Sequence, residues 1–222
     1  MSPPPRQTPR RIARELALLS LSQLGDRRLA DSSRPLQDLL LAAIRMLTAE
    51  VRDALETAAT ETQRSRERLV NSELRATDLQ SARVTLNEAV TLTQTAINRL
   101  GEAVDLPEVV QLANQQDVRE YACRLIETLD RHREAIANEL TAALVDWQLN
   151  RLPQIDRDIL SLAVAEMTHL EVPDRIAINE AIELAKRYAD ADSYRFINGV
   201  LRRVSNRRQP SSSPPATSPG TP

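Results

Sequence analysis

Three arginines could bind an anion at the start of the first predicted helix. Arg10, Arg11 and Arg14 stand where an apolar repeat at three- to four-residue spacing begins. The planar guanidinium group suits the oxygens of a phosphate and the edge of a nucleic-acid base. Positive charge at a helix N-terminus opposes the helix dipole, so these arginines are poorly explained as helix stabilisers. The pattern favours a ligand contact, with a solvated basic cap as the alternative.

No group of residues in the sequence has the pattern of a catalytic or metal-binding site. His132 and His169 have no nearby cysteine or carboxylate at the spacing of metal ligands. Cys123 is the only cysteine, and its position on the apolar face of a predicted helix favours a buried thiol over a nucleophile. Neither a nucleophile elbow nor a phosphate-binding glycine loop is present. We therefore expect no enzyme, no metal and no cofactor.

The composition predicts an all-α protein. Hydrophobic residues make up 41% of the 222 residues but aromatic residues only 2%, so Leu, Ile, Val and Ala must form the core. Such a core favours helices over sheets. The net charge of −2 argues against a uniformly basic surface, although a local basic patch is compatible with it. The absence of a signal peptide and of a long apolar run predicts a cytoplasmic protein with no membrane partner.

The first half of the chain predicts one helix followed by a long helical hairpin. Residues 1–9 are proline-rich and are expected to be disordered, and the first helix begins at residue 10. After a linker at 25–35, two arms within about 34–104 show the spacing of a helix–helix seam, with the turn near Asn71–Ser72. The expected seam residues are Leu36, Leu40, Ala43, Leu47, Val51, Ala54 and Ala58 in one arm and Leu79, Ala82, Leu86, Val90, Ile97, Leu100 and Val104 in the other.

The second half predicts a helix over about 115–150, broken at most once, and three short helices between 152 and 201. Trp147 is expected at the end of the apolar face of the helix over 115–150. Phe196 is the only phenylalanine, and its apolar neighbours favour core packing. Gly199 lies inside the last helix, where glycine usually permits the close approach of another backbone. Residues 209–222 form a Pro/Ser tail that is expected to be disordered.

Two ordered segments near the C-terminus resemble the signature of the NusB family. Residues 173–186 have the sequence PDRIAINEAIELAK, and residues 192–201 have the sequence DSYRFINGVL. The segment RRIARELA at 10–17 resembles the opening of the family pattern, and IDRDIL at 155–160 resembles the helix before the signature. The clear matches cover about 10–24 and 150–204, with a weaker match through 115–149.

The resemblance implies an all-helical bundle over 10–208 that acts in ribosomal RNA transcription antitermination. Family members bind boxA-type single-stranded RNA together with the ribosomal protein NusE, within the RNA polymerase antitermination complex. Carried over by motif, Arg10, Arg11 and Arg14 are the expected RNA-binding arginines. The same transfer adds Asp192 and Phe196 to the RNA surface, since a phenylalanine can stack on an unpaired base. Asp156 is the residue expected near NusE.

The hairpin at 34–104 departs from the compact family pattern as an insertion. Its acidic excess argues against direct RNA binding by the hairpin itself. One alternative is the RNA-binding module of an rRNA cytosine methyltransferase, but a Pro/Ser tail stands where that enzyme would continue into its catalytic domain. A second alternative is a helical protein-interaction scaffold without RNA binding. The family includes both monomers and dimers, so a homodimer is also compatible with the resemblance.

Overall fold

The computed structural model describes residues 8–25, 27–32, 34–75, 78–104, 106–145 and 147–208, and these contain helices and turns but no strand. The predicted all-α class is therefore confirmed. Residues 1–7 and the tail at 209–222 lie outside the described residues, so their predicted disorder stays a prediction. No helix among the described residues combines the length and apolarity that crossing a membrane requires.

Nine α-helices occur among the described residues, and two short 3-10 turns at Leu29–Asp31 and Leu149–Arg151 join some of them. The helices are α1 (Pro9–Leu24), α2 (Leu36–Arg75), α3 (Leu79–Val104), α4 (Leu106–Ala113), α5 (Gln116–Arg131), α6 (Arg133–Ala143), α7 (Gln154–His169), α8 (Asp174–Tyr188) and α9 (Ser193–Arg208).

The chain divides into two compact units, 1–123 and 124–222, with the boundary inside α5. In the first unit, α1 begins at Pro9 because the Thr8 hydroxyl accepts a hydrogen bond from the backbone N–H of Arg11 at 3.3 Å. The helix ends at Gly25, whose φ of 61° suits glycine. Residues between these ends are almost all buried, so α1 is a core helix with an exposed start.

Helices α2 and α3 form the predicted hairpin, and small residues line its seam. Ala58 of α2 and both Ala89 and Ala96 of α3 are at most 2% exposed. The buried Ser65 hydroxyl donates to the Ala89 carbonyl at 2.7 Å and lies 2.8 Å from the Thr93 hydroxyl. Small side chains allow the two helices to approach closely. The 40 residues of α2 span about 60 Å, so the hairpin is a long arm.

The seam of the second arm differs from the prediction. The first arm buries Leu40, Ala43 and Leu47 as expected. In α3 the large apolar residues that were expected inside are exposed, because Ala89 and Ala96 give the closer packing against α2. The exposed residues are Leu79, Leu86, Val90, Ile97 and Leu100. The side chains of Val51 and Val104 lie outside the description.

The turn of the hairpin also differs from the prediction. Asn71 and Ser72 are helical, and α2 continues to Arg75. The new helix is started by Asp78, whose carboxylate accepts from the backbone N–H of Ser81 at 2.8 Å. The Ser81 hydroxyl lies 3.4 Å from the Asp78 backbone N–H, so side chain and backbone cap each other. This reciprocal cap places the start of α3 immediately after Asp78.

The second unit has a core of long aliphatic side chains. Ile159 and Leu160 of α7 and Ile197 and Leu201 of α9 are fully buried, and α8 packs against both helices. The helix expected over 115–150 breaks once, at His132, and ends at Ala143. A Cβ added at Gly199 would meet only the end of the Arg203 side chain, at 4.0 Å. The predicted close approach of a backbone at Gly199 was therefore wrong.

Candidate nucleic-acid interface

The start of α1 places its arginines in three different environments. Arg10 is exposed, and its guanidinium carbon lies 3.8 Å from the centre of the Tyr121 ring. This cation–π contact orients the side chain while its N–H groups can still meet a ligand. Arg11 follows at the first turn and is half-buried. The backbone N–H of Arg11 is already used by the Thr8 cap, so its side chain would make any phosphate contact.

Arg14 is buried, with 5% of its surface exposed, and the adjacent Glu15 is 2% exposed. Burial leaves little of the Arg14 guanidinium for a ligand in this conformation. Arg10 and Arg11 are thus the predicted arginines that a nucleic acid would meet first. The RNA contact predicted for Arg14 stays a prediction.

Asp192 and Phe196 lie at the start of α9, and their side chains differ in exposure. The Asp192 side chain is 89% exposed and lies 3.6 Å from the Arg195 guanidinium, an ion pair that water screens strongly. Phe196 is half-buried, so its expected core packing is only partial. Its ring centre lies 6.0 Å from that of Trp147, with the ring planes at 64°. Phe196 therefore keeps part of its ring at the surface, against another aromatic side chain.

Trp147 is a candidate binding residue that the sequence did not reveal. The sequence placed it on the apolar face of a helix, but α6 ends at Ala143 and Trp147 is 58% exposed. The only signal was that it is the single tryptophan of the chain. An exposed indole edge-on to Phe196 gives an aromatic pair on which a base can stack. We call Trp147 and Phe196 the aromatic pair.

Asp156 occupies the first turn of α7 and is 4% exposed. The Ser193 hydroxyl donates to its Oδ2 at 3.3 Å, whereas its buried Oδ1 has no hydrogen-bond partner. Burial raises the pKa of Asp156, the Ser193 hydrogen bond opposes that shift, and the negative charge of Asp190 adds to it. Asp156 thus joins the starts of α7 and α9, and its predicted role in partner binding is untested.

The arginines at the end of α9 have structural partners. Arg203 donates to the carbonyl of Ala143 at 2.7 Å, and Arg207 donates to that of Ala142 at 2.9 Å. Both carbonyls lie in the last turn of α6, where helical oxygens lack partners within the helix. Arg208 donates to the carbonyl of Met167 and lies 3.2 Å from Asp174. These three arginines fasten α9 to α6, α7 and α8, which accounts for them without a ligand.

His132 and His169 are brought together although they are distant in sequence. Their rings stack with centres 3.8 Å apart and planes at 13°. Burial lowers the pKa of His169, and the nearby His132 lowers it further. The described residues contain no group of three His, Cys, Asp or Glu that could hold a metal ion. The pair is therefore a packed contact between α7 and the junction of α5 and α6.

The predicted site residues fall into two groups. Arg10, Arg11 and Arg14 belong to the first unit, and Asp156, Asp192 and Phe196 belong to the second. Within the second unit, the Ser193 hydroxyl connects Asp156 to the start of α9, next to Asp192. The structure thus groups three of the six predicted residues around one helix start.

Comparison with known proteins agrees with the resemblance. A sequence model of the NusB family matches residues 84–206. The transcription antitermination protein NusB of Microcystis aeruginosa (strain NIES-843 / IAM M-2473) is 60% identical over 203 residues, which cover 91% of this chain and 94% of that protein. The protein of the same name from Gloeothece citriformis (strain PCC 7424) is also 60% identical, covering 91% of this chain and 96% of its own length.

A solved structure has the same fold. The crystal structure of antitermination factors NusB and NusE in complex with dsRNA aligns over 90% of this chain and 97% of that chain, with a TM-score of 0.50 and 19% identity. The matched family segment begins inside α3 and so leaves out α1. The alignments with the two relatives leave only about a tenth of the chain outside, less than the length of the hairpin. These relatives therefore share at least most of the hairpin.

Proposed function

Since this chain belongs to the NusB family, we propose that it is a transcription antitermination factor that binds boxA-type single-stranded RNA of the ribosomal RNA leader together with the ribosomal protein NusE. The observation that carries the proposal is 60% identity, over 91% of the chain, to relatives named transcription antitermination protein NusB. The fold shared with a NusB in a complex with NusE and RNA supports it. The chain would act in the cytoplasm, within the antitermination complex of RNA polymerase.

The start of α1 supplies the electrostatic part of RNA binding. The exposed Arg10 and the half-buried Arg11 present guanidinium groups at the start of α1. The whole chain has a net charge of −2, so attraction to RNA must come from such a local group. Contacts of this kind make affinity fall as salt rises, because bound counterions are released from the RNA.

The aromatic pair supplies the contact with bases. Trp147 is 58% exposed and Phe196 half-buried, and their edge-to-face geometry leaves ring surface open. Stacking of one unpaired base on an aromatic ring is worth about 1–3 kcal/mol. Such stacking requires splayed bases, which is why we propose single-stranded RNA as the target. The exposed carboxylate of Asp192, one turn before Phe196, can accept hydrogen bonds from base amino groups.

Asp156 supports the proposed NusE surface through position and chemistry. Its buried Oδ1 lacks a hydrogen-bond partner, although buried carboxylate oxygens normally have one. We propose that Asp156 acts on this surface through Ser193, by holding the start of α9 against the start of α7 in the position that NusE would meet.

The proposal is tested by RNA binding with the double variant Arg10→Ala/Arg11→Ala. Fluorescence anisotropy would measure the affinity for boxA-type single-stranded RNA at several salt concentrations, with and without NusE. We expect weaker binding and a slope against salt that falls by about one for each phosphate contact removed. A duplex RNA of the same sequence, used as competitor, shows whether unpaired bases are required.

The matched control is Arg45→Ala/Arg52→Ala, which removes two exposed arginines of α2. This control should bind RNA as the wild type does. Circular dichroism of each variant separates loss of contact from loss of folding. Unchanged RNA affinity and salt slope in a folded Arg10→Ala/Arg11→Ala protein would refute the RNA surface at α1. NusE binding without any RNA binding would instead favour a helical scaffold.

A further inference from the structure

We propose that Gly199 of α9 leaves a slot for the ribose and phosphate of one unpaired nucleotide, whose base stacks on the aromatic pair. This inference rests on the proposed function, because the nucleotide belongs to the bound single-stranded RNA. Gly199 is the seventh of the 16 residues of α9, and a glycine inside a helix is destabilising relative to alanine. A glycine at such a position requires an explanation, either in the fold or in a ligand.

The fold does not explain the glycine at position 199. Among the described residues, Gly25 is the only glycine with a positive φ, so alanine can adopt the backbone conformation of Gly199 equally well. A Cβ added at Gly199 would meet only the end of the Arg203 side chain, at 4.0 Å, which is an ordinary contact distance. The absent side chain therefore leaves open space beside α9. Such space allows a ligand to approach the backbone closely.

The four positions around Gly199 on the helix surface carry groups that bind nucleotides. Residues three and four positions away on either side are surface neighbours in a helix. For Gly199 these neighbours are Arg195, Phe196, Arg202 and Arg203. Guanidinium groups suit the oxygens of a phosphate, and an aromatic ring suits the face of a base. The open position thus has the surroundings that a nucleotide requires.

Two of these arginines are held by neutral oxygens, and a third is exposed. Arg202 donates from Nε to the side-chain oxygen of Asn198 at 3.0 Å, and Arg203 donates from Nε to the carbonyl of Ala143 at 2.7 Å. A guanidinium has five N–H donors, so a bond from Nε orients the group without using its terminal N–H groups. The Arg195 side chain is 73% exposed. Arg195 and Arg202 are therefore the proposed phosphate contacts, and the anchored Arg203 forms a fixed side of the slot.

The slot adjoins the aromatic pair. Phe196 precedes Gly199 by three residues, which is about 4.5 Å along the helix axis. The ring of Phe196 in turn lies 6.0 Å from that of Trp147. The carbonyl that holds Arg203 belongs to Ala143, four residues before Trp147. A ribose and phosphate attached to a base on the aromatic pair would therefore lie over Gly199.

Gly101 of α3 provides a matched control. It is also helical, and a Cβ added there would meet nothing within 4 Å. Its neighbours three and four positions away in the sequence include no arginine and no aromatic residue; they are Ile97, Asn98, Val104 and Asp105. Substitution of either glycine should therefore affect helix stability similarly, but only Gly199 belongs to the proposed slot.

The test compares Gly199→Leu and Gly199→Ala with Gly101→Leu and Gly101→Ala. Fluorescence anisotropy of the full chain with boxA-type single-stranded RNA and NusE would measure affinity at several salt concentrations. We expect Gly199→Leu to weaken binding by about tenfold, the loss of one hydrogen bond to a charged group. Its slope against salt should fall by about one, for one phosphate contact removed. Gly199→Ala should weaken binding less, and both Gly101 variants should bind as the wild type does.

Thermal unfolding separates a lost contact from a damaged fold. Both alanine variants should unfold about 2–4 °C above the wild type, because alanine is the better helix former. Gly199→Ala would then be more stable than the wild type and still bind RNA more weakly. A purely structural role of Gly199 would not produce that combination.

The outcomes that would overturn the inference are distinct from those that would overturn the proposed function. Wild-type affinity in Gly199→Leu, or an equal loss in Gly101→Leu, would overturn the slot. Weaker binding with an unchanged salt slope would overturn the phosphate contact. If circular dichroism shows that Gly199→Leu is unfolded, the comparison of Gly199→Ala with Gly101→Ala decides in the same way. A wild type that binds no RNA would overturn the proposed function and the slot together.

Discussion

The hairpin and the C-terminal helices pack in opposite ways. In the hairpin, small residues such as Ala89 and Ala96 are inside, whereas the large apolar residues of α3 are outside. In helices α7 and α9 the large aliphatic residues Leu160 and Ile197 are fully buried, and polar residues cover the surface. Helices α2 and α3 are thus held together by the close packing of small side chains, and the large apolar side chains of α3 stay exposed. The C-terminal unit uses its apolar area to form a core.

Because of this difference, large apolar residues contribute to stability in the C-terminal helices but much less in α3. Removing a large core residue leaves a cavity, whereas removing a large exposed residue leaves none. In α3 the sensitive positions are the small residues Ala89 and Ala96, where added volume has nowhere to go. Truncation of a large core residue should therefore destabilise the C-terminal unit most. Enlargement of a small residue such as Ala89 should be the damaging change at the seam between α2 and α3.

The largest expected effect is that of Leu160→Ala in α7. Leu160 is fully buried, so truncation should lower the free energy of unfolding by about 2–5 kcal/mol. Leu86→Ala, at an exposed position of α3, is the matched control and should change it by less than about 0.5 kcal/mol. Urea unfolding measures both. Equal losses would mean that Leu86 is packed like a core residue.

Ala89→Leu should destabilise the hairpin by about 1–3 kcal/mol. Ala89 is 1% exposed, and its carbonyl accepts the Ser65 hydroxyl, so a larger side chain must push α2 away. Thr91→Leu, two residues later on the exposed side, is the control and should be nearly neutral. Amide hydrogen exchange in α2 and α3 would report the loss. Unchanged protection in Ala89→Leu would show that the seam has room and that its packing is not close.

Asp156→Asn should give the smallest effect and one that depends on pH. Burial raises the pKa of Asp156 in the folded state, so the folded protein binds this proton more readily than the unfolded chain does. The contribution of the wild-type carboxyl to stability is therefore present at low pH and is lost as the pH rises through its raised pKa. Asp156→Asn should gain stability relative to the wild type at neutral pH, and this gain should shrink in acid. An equal difference in thermal unfolding at both pH values would refute the raised pKa.

The elements of the fold were largely predictable from the sequence, because apolar periodicity and turn residues define helices locally. The single break in the helix expected over 115–150 and the three short helices α7, α8 and α9 agree with that prediction. The inner face of α3 was not predictable, because Leu86 and Ala89 are only three residues apart and belong to adjacent rows that both repeat every three to four residues. Hydrophobicity favoured the larger residue, whereas close helix packing selected the smaller one.

The candidate site was only partly predictable. Asp192 and Phe196 were predicted through the resemblance, because the motif that contains them is a local segment, and their role stays a prediction. The exposure of Trp147 follows from the end of α6 at Ala143, where Arg203 and Arg207 bind the last carbonyls. That contact joins residues about 60 positions apart, and no local pattern encodes it. The stacking of His132 on His169 was not predictable either, because it also joins residues that are distant in the sequence.

The most direct test of the account is photo-cross-linking of boxA-type RNA that contains 4-thiouridine, in the presence of NusE, with mass spectrometry of the cross-linked peptides. We expect cross-links at the start of α1, near Arg10, and at the aromatic pair Trp147 and Phe196. We expect none along α2 and α3. Cross-links confined to the hairpin would contradict the central claim that α1 and the aromatic pair bind the RNA.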